Sequence, residues 1–289
     1  MISFYQITNG PRSARVLNMN FFNLEGLGLV FHRLIIILSL LIMLTIAPLC
    51  YSDQQSDIKD EIKLGRSIAS VIAGTYGIYN NEELIKYINL VGNSVVYFNG
   101  RTELNYYFSV IDTDSINAFA CPGGYIFLTK GLIMSLSNEA ELASILAHEI
   151  AHVNCRHIYN AVVQKKSDSV DSILAKMIGG RNVSFSVAFN QVVNKGLEIL
   201  FKSGLPYKDE YEADAAAVFY LENTGYSSFA YKEVLTRFAG IDSLGNEKFS
   251  STHPPMKERI TKINDLLNGE VENGEYLRER FQSHISRKI

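Results

Sequence analysis

Apolar side chains recur at every third or fourth position in several stretches of the chain, which predicts helices. Ile62, Leu64, Ile68, Val71 and Ile72 mark one from Ile58 to Ala73, and Leu84, Ile85, Ile88, Leu90, Val91 and Val95 mark another from Glu82 to Phe98. The pattern then changes to β-forming residues. Tyr106 to Ile111 reads as a strand, Asp112 to Asp114 as a turn, and Ile116 to Ala120 as a second strand. Pro122-Gly123-Gly124 breaks the run, Tyr125 to Thr129 forms a third strand, and Gly131 opens a helix. Helical spacing returns in Leu142, Ile145, Leu146, Ile150 and Val153, so Asn138 to His157 is expected to be an amphipathic helix, with Asn138 and Glu141 in the form of a capping box. A polar stretch from Lys165 to Asp171 precedes two more helical segments. The second, Val183 to Phe201, is apolar but interrupted by Asn190, Gln191, Asn194, Lys195 and Glu198, which suits a core or lid helix, or a surface touching membrane or unfolded substrate, better than a membrane span. Further helices are expected near Lys208 and from Pro255 to Leu267, followed by a short charged tail. The sum is an α+β chain, mainly helical, with a small sheet leading into and covering the central helix.

Composition adds bounds. With 289 residues, 47% of them hydrophobic and 20% charged, the chain can bury one sizeable core. A net charge of -3, a pI near 6.1 and scattered basic residues exclude the basic surface that nucleic acid requires. Arg12, Arg15, His32 and Arg33 precede an apolar run from Leu34 to Leu49, and the chain turns polar at Ser52-Asp53-Gln54. Residues 1–52 are therefore expected to be a targeting segment, and 53–289 an exported domain, periplasmic or held at the membrane by that segment. As a helix the apolar run would span about 24 Å, short of a bilayer core of about 30 Å, which favours a cleaved signal over an anchor. Leu49, where a small residue would precede a lipidated Cys50, argues against a lipoprotein. Cys121 and Cys155 are compatible with one disulfide in an oxidising compartment and equally with two small buried residues.

The chemistry is concentrated in His148-Glu149-Ile150-Ala151-His152. On a helix the two histidines project from one side, one turn apart, where two imidazoles can hold a single zinc ion, and Glu149 stands beside them as a base for an activated water. His157 does not complete a metzincin pattern, because Cys155 and Ile158 occupy the places of its glycine and histidine; it reads as a structural histidine or one supporting His152. A catalytic zinc needs a third protein ligand. Glu210 and Asp214 share a face of the helix near Lys208, while Glu212 points about 160° away from Glu210. Taken alone, such acids are ordinary solvated surface.

Taken together, the histidine pair, Glu210-Tyr211-Glu212-Ala213-Asp214, Thr252-His253-Pro254 with Arg259-Ile260, and Asn117-Ala118-Phe119-Ala120 before Pro122-Gly123-Gly124 resemble the CAAX prenyl protease family of zinc metallopeptidases in its HtpX- and BepA-like form. The likeness runs from about Leu64 to Leu267 and departs at Pro206-Tyr207-Lys208, where an arginine often precedes the glutamate. It implies a zincin-type domain with one zinc per chain on His148, His152 and Glu210, Glu149 as general base, Asp214 steadying a ligand histidine, and His253 near the metal as an oxyanion stabiliser. It also implies an extended substrate added along Asn117, Ala118, Phe119 and Ala120. The expected activity is endoproteolysis of unfolded or damaged envelope proteins; the competing reading is a chaperone-like assembly factor that seldom cleaves.

Overall fold

The computed structural model describes residues 56–164, 183–243 and 252–285, all within one compact unit, Gln55–Ile289. The expected targeting segment, Cys50 and the polar stretch from Lys165 to Asp171 lie outside the described residues. The fold is α+β and mainly helical, around a three-stranded mixed sheet.

A helix over residues 56–76 (α1) and α2 (Glu82–Asn99) match the two expected from periodicity. Asn81 caps α2 by accepting from the Leu84 N–H at 3.1 Å. The strands are β1 (Tyr107–Ile111), β2 (Ala118–Cys121) and β3 (Tyr125–Thr129), in the order β1-β3-β2. β1 and β3 run parallel and β2 and β3 antiparallel, so the turn at Asp112–Asp114 does not close a hairpin between β1 and β2. β2 begins two residues later than the pattern suggests, and Asn117 stands just before it, accepting from the Thr129 N–H at 3.0 Å. This order leaves β2 at an edge of the sheet.

From β3 the chain passes through the short α3 (Lys130–Ser135) into α4 (Glu139–Asn154), the centre of the fold. The expected amphipathic helix is instead buried on every side, from Glu139 to Val153. Its polar residues face other polar groups rather than water. The Asn138 side chain accepts from the Glu141 N–H at 2.9 Å, as a capping box requires, but the Glu141 carboxylate reaches one residue further back, to the Ser137 N–H at 2.7 Å, and is gripped by Arg237.

The helix also ends earlier than His157. Cys155 caps it, Arg156 adopts a left-handed φ of 57°, and His157 starts a new helix, α5 (His157–Gln164). Such a conformation is uncommon for a residue with a Cβ and needs compensation from its surroundings. Asp57 at 2.6 Å and the fully buried Glu61 at 2.9 Å, both from α1, supply it through ion pairs to the Arg156 guanidinium. Cys121 and Cys155 are both free thiols, so the disulfide alternative is not realised.

Beyond α5 come α6 (Val183–Glu198), ending in a π-helical turn at Ile199–Ser203, then α7 (Tyr207–Thr224), α8 (Phe229–Ser243), α9 (Met256–Leu266) and α10 (Arg278–Ile285). α4 packs most extensively against α7, with α2, α8 and β2 on its other sides. Among the described residues no helix is long and apolar enough to cross a membrane.

Candidate metal centre

α4 and α7 bring three donor groups to one point. The Nε2 atoms of His148 and His152 lie 3.0 Å apart, and the Glu210 carboxylate approaches them at 3.7 Å and 3.6 Å respectively. All three side chains are at least 95% buried. Ligands bound tetrahedrally at about 2.0–2.1 Å are separated by roughly 3.3 Å, so this triangle has the size that zinc requires. Glu212, on the opposite face of α7, is left outside the triangle, as the helical angles require.

The back of each imidazole is engaged elsewhere, which turns both Nε2 atoms towards the shared space. His148 Nδ1 lies 3.0 Å from Asp214 Oδ1 and 2.9 Å from the Tyr231 hydroxyl. Tyr231 donates to Asp214 at 2.6 Å, and Arg259 donates to both Asp214 oxygens and to the Tyr231 hydroxyl. Burial alone would raise the Asp214 pKa, but the Arg259 charge and the hydrogen bonds from His148 and Arg259 hold it well below the usual carboxylate range. Asp214 is therefore an anion that keeps the His148 proton on Nδ1. His152 Nδ1 meets His157 Nδ1 at 2.8 Å, so His157 backs the second histidine of the triangle. Desolvation and the neighbouring His148 push the His152 pKa well down, which keeps its imidazole neutral.

His253, carried by the segment before α9, points its Nδ1 at Glu210 Oε2, 2.7 Å away. Burial would lower its pKa, but the charge of Glu210 and this bond raise it; the same pairing holds Glu210 far below its ordinary value despite burial. Glu149 sits beside the triangle, its pKa raised by burial. Two clefts meet at Ala118, Glu149 and His253. Phe119, Leu200 and Leu205 line one; Leu132, Leu235, Phe238 and Met256 line the other. Ala118, Phe119 and Ala120 of the edge strand thus border the site, while Asn117 lines only the second cleft.

Sequence reasoning named every donor of the triangle but not Tyr231, which lies in an ordinary apolar helix pattern. Arg259 entered only as part of a motif, yet it supplies a buried positive charge against Asp214, in a region where the expected arginine before Glu210 is missing.

A family model described as Peptidase family M48 matches residues 83–267. The chain is 26% identical over 225 residues to the beta-barrel assembly-enhancing protease of Escherichia coli K12, covering 73% of this chain and 44% of that protein. It is 30% identical over 186 residues to the mitochondrial metalloendopeptidase OMA1 of Schizosaccharomyces pombe, covering 63% and 52%. It is 26% identical over 185 residues to a protease HtpX homolog of Salinibacter ruber, covering 54% and 66%. The chain spans less than half the length of the first of these relatives and about half of the second.

Proposed function

The chain belongs to peptidase family M48, and from that premise we propose that it is a zinc-dependent endopeptidase acting on unfolded or damaged envelope proteins. The observation that carries this reading is the convergence of His148 Nε2, His152 Nε2 and the Glu210 carboxylate on one buried point with Glu149 alongside. A closed structural zinc site would use four ligands and have no need of a buried base. For the same reason the enzyme is favoured over a chaperone-like factor that keeps the site without cleaving.

Zinc bound by His148, His152 and Glu210 would supply a Lewis acid that acidifies water and polarises a carbonyl. Asp214 and Tyr231 fix the His148 tautomer, and His157 does the same for His152. Glu149 takes the proton of the attacking water, and its raised pKa makes it a stronger base than an exposed glutamate. His253 engages Glu210 through Nδ1, which leaves Nε2 to donate to the oxyanion that forms on the attacked carbonyl.

The substrate is placed along β2. Asn117 and Thr129 form a hydrogen-bonded pair, so by the antiparallel alternation the main-chain groups of Ala118 and Ala120 point away from β3, towards the open side of the sheet. There the Ala118 N–H already donates to Asn117 Oδ1 at 2.9 Å, and the other groups are offered to a peptide. An extended peptide added there lies across both clefts, its backbone bound without regard to sequence. The apolar lining of both clefts favours apolar side chains flanking the cleaved bond.

The assignment to envelope substrates rests on the leader pattern of residues 1–52 and on the similarity to the beta-barrel assembly-enhancing protease of E. coli. The leader directs the domain across the inner membrane, leaving it periplasmic or anchored. Hydrolysis of an unfolded casein-type substrate by metal-loaded wild type, absent in Glu149→Gln with equal metal content, is the expected result. Metal-loaded wild type with no activity on any unfolded protein would defeat the proposal.

A further inference from the structure

A second group of donors lies behind the first. Cys155, His157 and Glu212 each present one atom, and these atoms all lie within 4.8 Å of one another. The left-handed Arg156 places Cys155 and His157 on the same side of the break between α4 and α5, facing Glu212 on α7. His157 is only 5% exposed, yet its Nε2 has no hydrogen-bond partner; the nearest Glu212 oxygen, at 3.6 Å, is out of reach. A buried ring nitrogen without a partner carries an energetic cost, and here it is aimed at a thiol and a carboxylate. Glu212 is largely exposed, which gives an ion a route in from solvent.

We propose that Cys155, His157 and Glu212 form a second site for a thiophilic divalent cation such as zinc, and that filling it weakens metal binding at His148, His152 and Glu210. Sulfur, imidazole nitrogen and carboxylate oxygen are the donor mixture of borderline-soft ions, whereas calcium and magnesium take oxygen alone. Asp209, one turn before Glu212 on α7, adds negative charge that acts on both Cys155 and His157. Burial and Glu212 push the Cys155 thiol up to about 11, so binding a cation releases that proton to solvent and leaves a thiolate ligand.

The antagonism follows from counting protons on two imidazoles, and it rests on the reading of the first site as a metal centre. A metal on His152 Nε2 leaves the His152 proton on Nδ1, from which it donates to His157 Nδ1, 2.8 Å away. The proton of neutral His157 is then on Nε2. An ion at the second site needs the lone pair of that Nε2, so the proton must leave the ring or move to Nδ1, where it confronts the His152 proton. With both rings neutral, the two sites cannot both be filled without breaking the bond between His152 and His157.

Cobalt separates this proposal from the first. The triangle of His148, His152 and Glu210 contains no sulfur, so a sulfur-to-cobalt charge-transfer band in the metal-stripped full chain reports the second site alone. Titration with cobalt is expected to produce this band in wild type, in Cys50→Ser and in Cys121→Ser, and not in Cys155→Ser. Glu212→Gln, an exposed and structurally mild change, should need at least about tenfold more cobalt to reach the same band. Glu210→Gln, which cripples the first site, should reach it with less cobalt than wild type. Absence of the band in wild type at excess cobalt, its survival in Cys155→Ser, or an unshifted titration in Glu212→Gln overturns the site. An unshifted titration in Glu210→Gln overturns the antagonism. Failure of the peptidase reading would appear instead as an intact band in a protein that hydrolyses nothing.

Discussion

Arg259 grips Asp214 at two points, Nη2 to Oδ1 at 2.7 Å and Nε to Oδ2 at 3.0 Å, while Asp214 Oδ1 lies 3.0 Å from His148 Nδ1. A charge on α9 therefore fixes an imidazole on α4. Removing one partner of a buried pair leaves the other uncompensated, at a cost of about 3–5 kcal/mol. Arg259→Ala is expected to lower stability by that amount and to weaken zinc binding. Arg259→Lys keeps the charge but loses the two-pronged geometry, so it should recover part of the stability and less of the metal affinity. Urea denaturation of the metal-free protein and zinc titration measure the two separately. Full zinc affinity in Arg259→Ala would show that Arg259 is not needed to hold Asp214 against His148.

Glu149 and Glu210 are both buried acids of the site, but they should behave differently. Glu210→Ala removes a donor that two histidines cannot replace, and most of the zinc should be lost on dialysis. Glu149→Gln should keep one zinc per chain while turnover falls at least about a hundredfold. Because Glu149 must be ionised to accept a proton and its pKa is raised by burial, kcat/KM should fall on the acid side around a midpoint above the ordinary glutamate value of about 4.3. Metal analysis and a pH profile on the same preparations test both statements, and stoichiometric zinc in Glu210→Ala would remove it as a ligand.

Much of this architecture was legible in the order of apolar residues, because α2, β1 and β3 pack one face or one strand pattern against the core. What periodicity could not give was the partner of each polar residue. Glu139 and Glu141 look like ordinary first-turn acids in the sequence, yet both are buried and paired with arginines more than ninety positions away. The end of α4 was misplaced for a related reason. Cys155-Arg156-His157 carries no glycine or proline to mark a break, and the left-handed Arg156 depends on Asp57 and Glu61 of a distant helix. The histidine pair was readable because its spacing on α4 is local; the third corner of the triangle, Glu210 on another helix, came only through the family resemblance.

His253, bonded to Glu210 beside the triangle, could stabilise the oxyanion or cap Glu210, and one variant distinguishes the two roles. If it stabilises the oxyanion, His253→Ala should lower turnover by about a hundredfold, with zinc retained and substrate binding little changed. If it instead caps Glu210 and blocks the metal, the same variant should bind zinc less well or gain activity. Zinc content and turnover on one preparation decide, and full activity with full zinc would remove His253 from the site.

The approach of His253 depends on Gly204. This glycine has a φ of +66°, and a Cβ built on it would stand 2.1 Å from the Thr252 carbonyl oxygen, one residue before His253. The backbone contact cannot be relieved by turning a side chain, so Gly204→Ala must push the 252–255 segment away from the π-helical turn. Turnover should fall at least about tenfold while the zinc bound by α4 and α7 remains, since 1 Å of misplacement can cost on the order of a hundredfold. An alanine variant with unchanged turnover would show that this segment adjusts without moving His253.

Glu139 predicts how stability responds to acid. Its buried carboxylate accepts from the Tyr87 hydroxyl at 2.7 Å and the Tyr226 hydroxyl at 2.6 Å, and it pairs with Arg280. Burial by itself would raise its pKa, but Arg280 and the two tyrosines outweigh burial and lower it. A carboxylate whose pKa is depressed in the folded protein stabilises fully above its unfolded value of about 4.3, and loses that contribution as the pH falls through the folded value. Glutamine at this position does not titrate. Glu139→Gln should therefore be less stable than wild type by about 1–3 kcal/mol at pH 7, the scale for hydrogen bonds to a charged group. The difference should narrow steadily as the pH drops below about 4, because only the wild type loses its stabilisation there. Urea midpoints for both proteins at pH 7, 4 and 3 measure it, and a difference that stays constant, or widens, over that range would show that Glu139 is not held ionised by Arg280 and the two tyrosines.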